Sequence, residues 1–106
     1  MKHEKRDEVL DQLLSRLRQQ LGPHLKQVIL FGSRARGDQV PYSDYDCLAI
    51  LDKVSSESKD LIDEVAGEIL YHYNAVVSVL PIAEKEYLQL TYDPLFINVR
   101  REGIAL

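Results

Sequence analysis

The chain of 106 residues holds a single cysteine, Cys47, so no internal disulfide can form and a reducing, cytoplasmic setting is the expected compartment. Long apolar runs are missing too. Apolar runs such as Val28 to Phe31 are far short of the ~20 residues of a membrane span, and the charged start reads as having no signal-peptide core. An excess of base is absent: 13 Lys and Arg face 17 Asp and Glu, a formal net charge of -4, which argues against general nucleic-acid binding. No repeat, low-complexity tract or linker interrupts the chain. At this length roughly 60–70% of the unfolded surface is buried on folding, so residues 1–106 are expected to form one domain without help from metals or disulfides.

The charge is uneven. Residues 1–37 carry eight basic and four acidic side chains, whereas residues 38–106 carry five and thirteen, so a basic patch near Arg34 and Arg36 remains available for a small anion. Val9, Leu10, Leu13, Leu14, Leu17 and Leu21 trace one stripe of a helix from about Glu4 to Leu21, ended by Gly22-Pro23. Lys5, Asp7, Arg16 and Arg18 then form its solvated face. Gln27 to Phe31 is apolar on both faces, as an interior strand is, and stops at Gly32-Ser33. Arg34 to Asp38 reads as a tight turn or one helical turn closed by Gly37, with Asp38 a turn residue.

Asp44 to Leu51 reads as a second strand, opened by two carboxylates. Ser55 to Tyr73 is a second long helix with Ser55, Ser56 or Ser58 as N-cap, its acidic stretch Glu57 to Glu68 solvated and Tyr71 and Tyr73 covering the helix–sheet interface. Ala75 to Leu80 is a third strand ended by Pro81. Glu84 to Leu90 and Pro94 to Arg101 are shorter helices, the last stopped by Gly103. The alternation predicts an α/β fold with a small mixed sheet backed by helices.

The chemistry lies in Gly32-Ser33, ten residues, then Asp44-x-Asp46. A strand that ends in Gly-Ser at a helical turn presents backbone N–H groups and a hydroxyl to an anion, with no side chain at Gly32 to keep a phosphate away. The Gly-Lys-Ser/Thr ending of a P-loop is absent. Carboxylates at i and i+2 of a strand share a face, and two like charges so placed call for a cation. Beside a phosphate, hard oxygen ligands select Mg²⁺ or Mn²⁺, so a metal–nucleoside triphosphate is the expected occupant, with Arg34 and Arg36 flanking it. No His, Cys or Ser arrangement suggests a covalent nucleophile: His3, His24 and His72 lack partners at metal spacing, and Cys47 reads as core filler. Direct attack by an acceptor hydroxyl on the α-phosphate is the simplest chemistry left. Tyr42 and Tyr45 neighbour the site.

Gly32-Ser33-Arg34-Ala35-Arg36-Gly37-Asp38 with Ser43-Asp44-Tyr45-Asp46 resembles the signature of the polymerase-β-type nucleotidyltransferase superfamily, and in particular its minimal members, the MNT domains. The leading helix, the strand before Gly32, Pro94-Leu95-Phe96 and Arg101-Glu102-Gly103-Ile104 extend the likeness along the whole chain. The resemblance implies a nucleotidyltransferase core, AMP transfer from ATP to a hydroxyl, Asp44 and Asp46 as catalytic metal ligands, and Gly32, Ser33, Arg34 and Arg36 as nucleotide contacts. It also implies a HEPN-domain toxin as partner, with adenylylation of a toxin tyrosine. Many members add a third carboxylate on a later strand, but Ala75 to Leu80 contains no acid, and Ser78 is its only polar side chain. Glu84 and Glu86 lie beyond it. A rival reading is therefore a nucleotidyltransferase-like module that neutralises a HEPN partner by binding alone. A small-molecule transferase, such as one modifying aminoglycosides, fits less well because such enzymes usually add an acceptor domain. Dimerisation, base selectivity and the acceptor have no signature in the chain.

Overall fold

Each apolar stripe finds a partner in the computed structural model, which describes residues 7–106. Helix α1 (Glu8–Leu21) is capped by Asp7, whose Oδ1 accepts the amides of Val9 and Leu10 at 2.9 and 3.2 Å. The expected residues Glu4 to Arg6 of this helix, and His3, lie outside the described residues. A 3₁₀ turn, Gly22–His24, leads into β1 (Leu25–Phe31). A single helical turn, α2 (Ser33–Arg36), is closed by Gly37 at φ 84°. Then follow β2 (Tyr45–Leu51), α3 (Ser56–Tyr73), β3 (Val77–Ala83), α4 (Glu84–Gln89), α5 (Pro94–Glu102) and the two-residue β4 (Ile104–Ala105).

The sheet order is β3-β2-β1-β4, with β2 and β3 parallel and the other pairs antiparallel. This is the expected mixed sheet with β1 in its interior. The parallel pair is joined through α3, the helical crossover that such a pair needs. Ser55 proves to be the N-cap of α3: its Oγ accepts the Ser58 amide at 3.1 Å while Ser58 Oγ accepts the Ser55 amide at 2.9 Å.

Alternation along β1 and β2 divides the core between two layers. Val28, Leu30, Tyr45, Cys47, Ala49 and Leu51 meet α1 and α3 through Leu13, Leu17, Ile62, Val65 and Ile69. Ile29, Leu48 and Ile50 point the other way, onto Phe96 and Val99 of α5, with Phe31 and Tyr87 packed alongside. Cys47 fills the first layer as expected, and burial pushes its thiol up to about 12. An ion pair between Arg16 and Glu68, 3.0 Å, ties α1 to α3, so these two side chains of the expected solvated faces meet each other.

Three expectations need correction, and one element is new. Pro81 does not end the third strand; it pairs with Ala49 inside β3, tolerated because β3 is an edge strand with a neighbour on one side only. Asp44 precedes β2 rather than opening it. Tyr73 packs on the core, but Tyr71 is 85% exposed, because α3 turns it to solvent. Strand β4 was not expected; two residues carry no periodic signal.

Candidate active site

Antiparallel register sets Phe31, the last residue of β1, opposite Asp46 of β2. Gly32 thus leaves the sheet beside the Asp46 carboxylate. It does so at φ 79° and ψ -160°, a region essentially reserved for glycine. A Cβ built there would lie 2.6 Å from Asp46 Oδ2. The space of the missing side chain therefore connects the Gly-Ser turn with the carboxylate, and any residue but glycine would close it. Ser33 begins α2, and its carbonyl accepts the amides of both Gly37 and Asp38, at 2.9 and 3.1 Å; the first amides of such a turn lack intrahelical acceptors.

Asp44 is exposed and Asp46 half-buried. Burial, followed by the charge of Asp44, raises the Asp46 carboxyl above its ordinary range, and Arg36 offsets part of this. Neither carboxylate has a hydrogen-bond partner among the described residues. The loop before them is braced from within: Ser43 Oγ accepts the Val40 amide at 2.9 Å, and the Tyr45 amide binds the Val76 carbonyl at 2.9 Å.

The two arginines of the motif part company. Arg34 donates from Nε to the Ser43 carbonyl at 3.0 Å and lies 3.9 Å over the Tyr45 ring, on the α1 side of the sheet. Tyr45 in turn donates its hydroxyl to Asp7 Oδ2 at 2.9 Å. Arg36 serves the other side. Its Nε donates to Asp38 Oδ2 at 3.1 Å and its Nη1 to Glu102 Oε1 at 2.9 Å. The structure thus gathers Gly32, Ser33, Arg36, Asp44 and Asp46 at one end of the sheet, and gives Arg34 a bracing place beside them. The contact of Glu102 with Arg36 escaped the sequence reading, since nothing local links residues 66 positions apart.

The chain matches a family model described as a nucleotidyltransferase domain over residues 10–102. It belongs to the nucleotidyltransferase domain family. A Methanocaldococcus jannaschii protein named "Putative protein adenylyltransferase MJ1305" is 31% identical over 94 residues, 86% of this chain. The chain spans 64% of the length of that relative. Among solved structures, a chain of a toxin–antitoxin crystal structure with AMP-PNP superposes with a TM-score of 0.61 at 21% identity, covering 88% of this chain and 68% of that one. A chain of the tri-AMPylated Shewanella oneidensis HEPN toxin in complex with MNT antitoxin gives 0.57 at 17% identity, covering 92% and 67%. At these identities the likeness is one of fold.

Within this nucleotidyltransferase domain, the parallel register sets Ser78 directly beside Asp46 on the same face. A carboxylate at this register would stand beside Asp46; Ser78 is neutral. An open hollow of about 360 Å³ adjoins the pair, lined by Phe31, Asp46, Ser78, Leu80 and Asp63 among others. Among the described residues no group of three or more His, Cys, Asp or Glu side chains is arranged to hold a metal ion. The donor chemistry nevertheless fits Mg²⁺ or Mn²⁺. Asp46 borders the Cβ-free gap at Gly32 and feels the charge of Asp44, and such ions are commonly held by one or two carboxylates, with water and substrate phosphates completing the shell.

Proposed function

We propose that this nucleotidyltransferase domain, acting as one unit over residues 1–106, transfers AMP from ATP to a hydroxyl of a partner protein, and that the partner is a HEPN-domain toxin in the same cytoplasm. The observation that carries the reading is the apposition of Gly32 and Asp46, where a Cβ would stand 2.6 Å from the carboxylate oxygen. The name of the M. jannaschii relative supports adenylyl transfer, AMP-PNP in one structural neighbour supports ATP, and the tri-AMPylated toxin of another supports the partner.

Asp44 and Asp46 hold Mg²⁺ or Mn²⁺ in this reading; the bound cation neutralises phosphate charge and polarises the phosphoryl oxygens. Gly32 leaves room for the triphosphate, and Ser33 with the first amides of α2 contacts its oxygens. Arg36 adds a fixed positive charge on the carboxylate side. Arg34 reaches the phosphates only from its bracing position on Tyr45. The acceptor oxygen forms a bond to the α-phosphorus as the bond from that phosphorus to the oxygen bridging the β-phosphate breaks. Pyrophosphate departs, and the hydroxyl proton passes to water, because the neutral Ser78 is a poor base.

Incubation with labelled ATP, Mg²⁺ and a co-expressed HEPN partner, beside the Asp44→Asn, Asp46→Asn double variant, tests the reading. Label on the partner with wild type alone is the expected result. Ser78 in the third position favours a second reading, neutralisation by binding. Under that reading neither version labels the partner and both silence it.

A further inference from the structure

The arrangement around Arg36 shows more than a charged side chain near a binding site. Two carboxylates from separate elements grip its guanidinium: Asp38, two residues on in the same loop, and Glu102, at the end of α5. Glu102 is itself held firmly. Its side chain is only 26% exposed. The next residue, Gly103, caps α5 through a 2.8 Å hydrogen bond to the Val99 carbonyl and lies so close to β1 that a Cβ would stand 2.6 Å from Ile29 Cγ2. Ile104 and Ala105 then pair with Leu30 and Ile29. The end of α5 is thus fastened to the strand that delivers Gly32.

We infer that Glu102 is a positioning residue, which with Asp38 holds the Arg36 guanidinium in the orientation that meets the triphosphate. The inference rests on the functional reading above. Arginine has five N–H donors; two are committed here and three remain for phosphate oxygens. Two opposing effects have to be weighed. Glu102 adds negative charge near an anionic ligand, but this repulsion runs across partly exposed surface that salt screens. Orientation acts over one hydrogen-bond length, where screening is weakest, and an unheld arginine must be ordered by the ligand each time it binds. Orientation prevails, so removing Glu102 weakens binding.

The test is calorimetric titration of the whole chain with Mg²⁺ and AMP-PNP. Glu102→Ala should raise Kd about five- to tenfold, the cost of ordering one long side chain, whereas Glu102→Gln, whose Oε1 accepts the same bond, should stay within about twofold. In an Arg36→Ala background, Glu102→Ala should add nothing. Unchanged or tighter binding by Glu102→Ala, an equal loss in Glu102→Gln, or an undiminished loss without Arg36 would each overturn the positioning role while leaving the functional reading intact. Wild type that fails to bind would overturn both.

Discussion

Two hollows of about 360 Å³ lie near opposite ends of β2, and they differ in chemistry rather than size. At the end beyond Leu51 several polar groups answer one another. His24 Nδ1 stands 2.7 Å from Asp52 Oδ2, which holds the Asp52 carboxyl below its ordinary range, and Ser55 and Ser58 close a reciprocal cap. At the Asp46 end, the Asp44 and Asp46 carboxylates have no hydrogen-bond partners among the described residues, and Asp46 stands against a glycine with no room for a side chain. There, burial and like charge both oppose ionisation of Asp46, and under the proposed function this is stability set aside for a ligand.

The largest effect expected is on chemistry. Asp44→Asn with Asp46→Asn should lower transfer at least about 100-fold, since bound metal supplies several kcal/mol of transition-state stabilisation. The same variant should unfold no more easily than wild type. The raised Asp46 carboxyl means that its ionisation opposes folding, so stability falls as pH rises through its titration range, and neutral Asn removes that loss. A thermal melt beside the label-transfer assay checks both halves.

Next comes the sealed layer under α1. Leu17 is fully buried, so Leu17→Ala should cost about 2–5 kcal/mol in a denaturant titration. Glycine substitutions sharpen the contrast within the site. Gly32→Ala meets both a glycine-only conformation and the Asp46 oxygen, and should cost about 1–3 kcal/mol and suppress nucleotide binding. Gly37→Ala, at φ 84° with open space around it, should cost about 1 kcal/mol and leave binding measurable.

The smallest effect lies at the Tyr45 hydroxyl. Burial first, then the bond to Asp7, pushes Tyr45 up to about 12. A phenol so raised contributes stability fully below its unfolded value near 10, and loses it as pH climbs from there to about 12. Tyr45→Phe should therefore cost about 1 kcal/mol at neutral pH, with the gap from wild type closing across that alkaline window.

Much of this was legible in the residues, and for physical reasons. Leu13, Leu17 and Leu21 repeat at helical spacing. The spacing from Gly32-Ser33 to Asp44-x-Asp46 places the Gly-Ser turn and the carboxylates on neighbouring strands, as the pairing of β1 with β2 does. What escaped depended on tertiary placement. Arg34 and Arg36 look equivalent in a sequence, yet one turns toward Tyr45 and the other toward Glu102. Pro81 looked like a terminator because its edge position cannot be read locally. Strand β4 follows Gly103, which lies so close to Ile29 that a Cβ would clash.

The most direct test of the central claim, that the unsatisfied end of β2 holds the metal–nucleotide, is paramagnetic broadening of backbone amide signals by Mn²⁺ with ATP. The account predicts early loss of the signals from Gly32, Ser33, Tyr45 and Asp46, with those of His24 and Asp52 intact. Broadening centred on His24 and Asp52, or spread without preference along the chain, would contradict it.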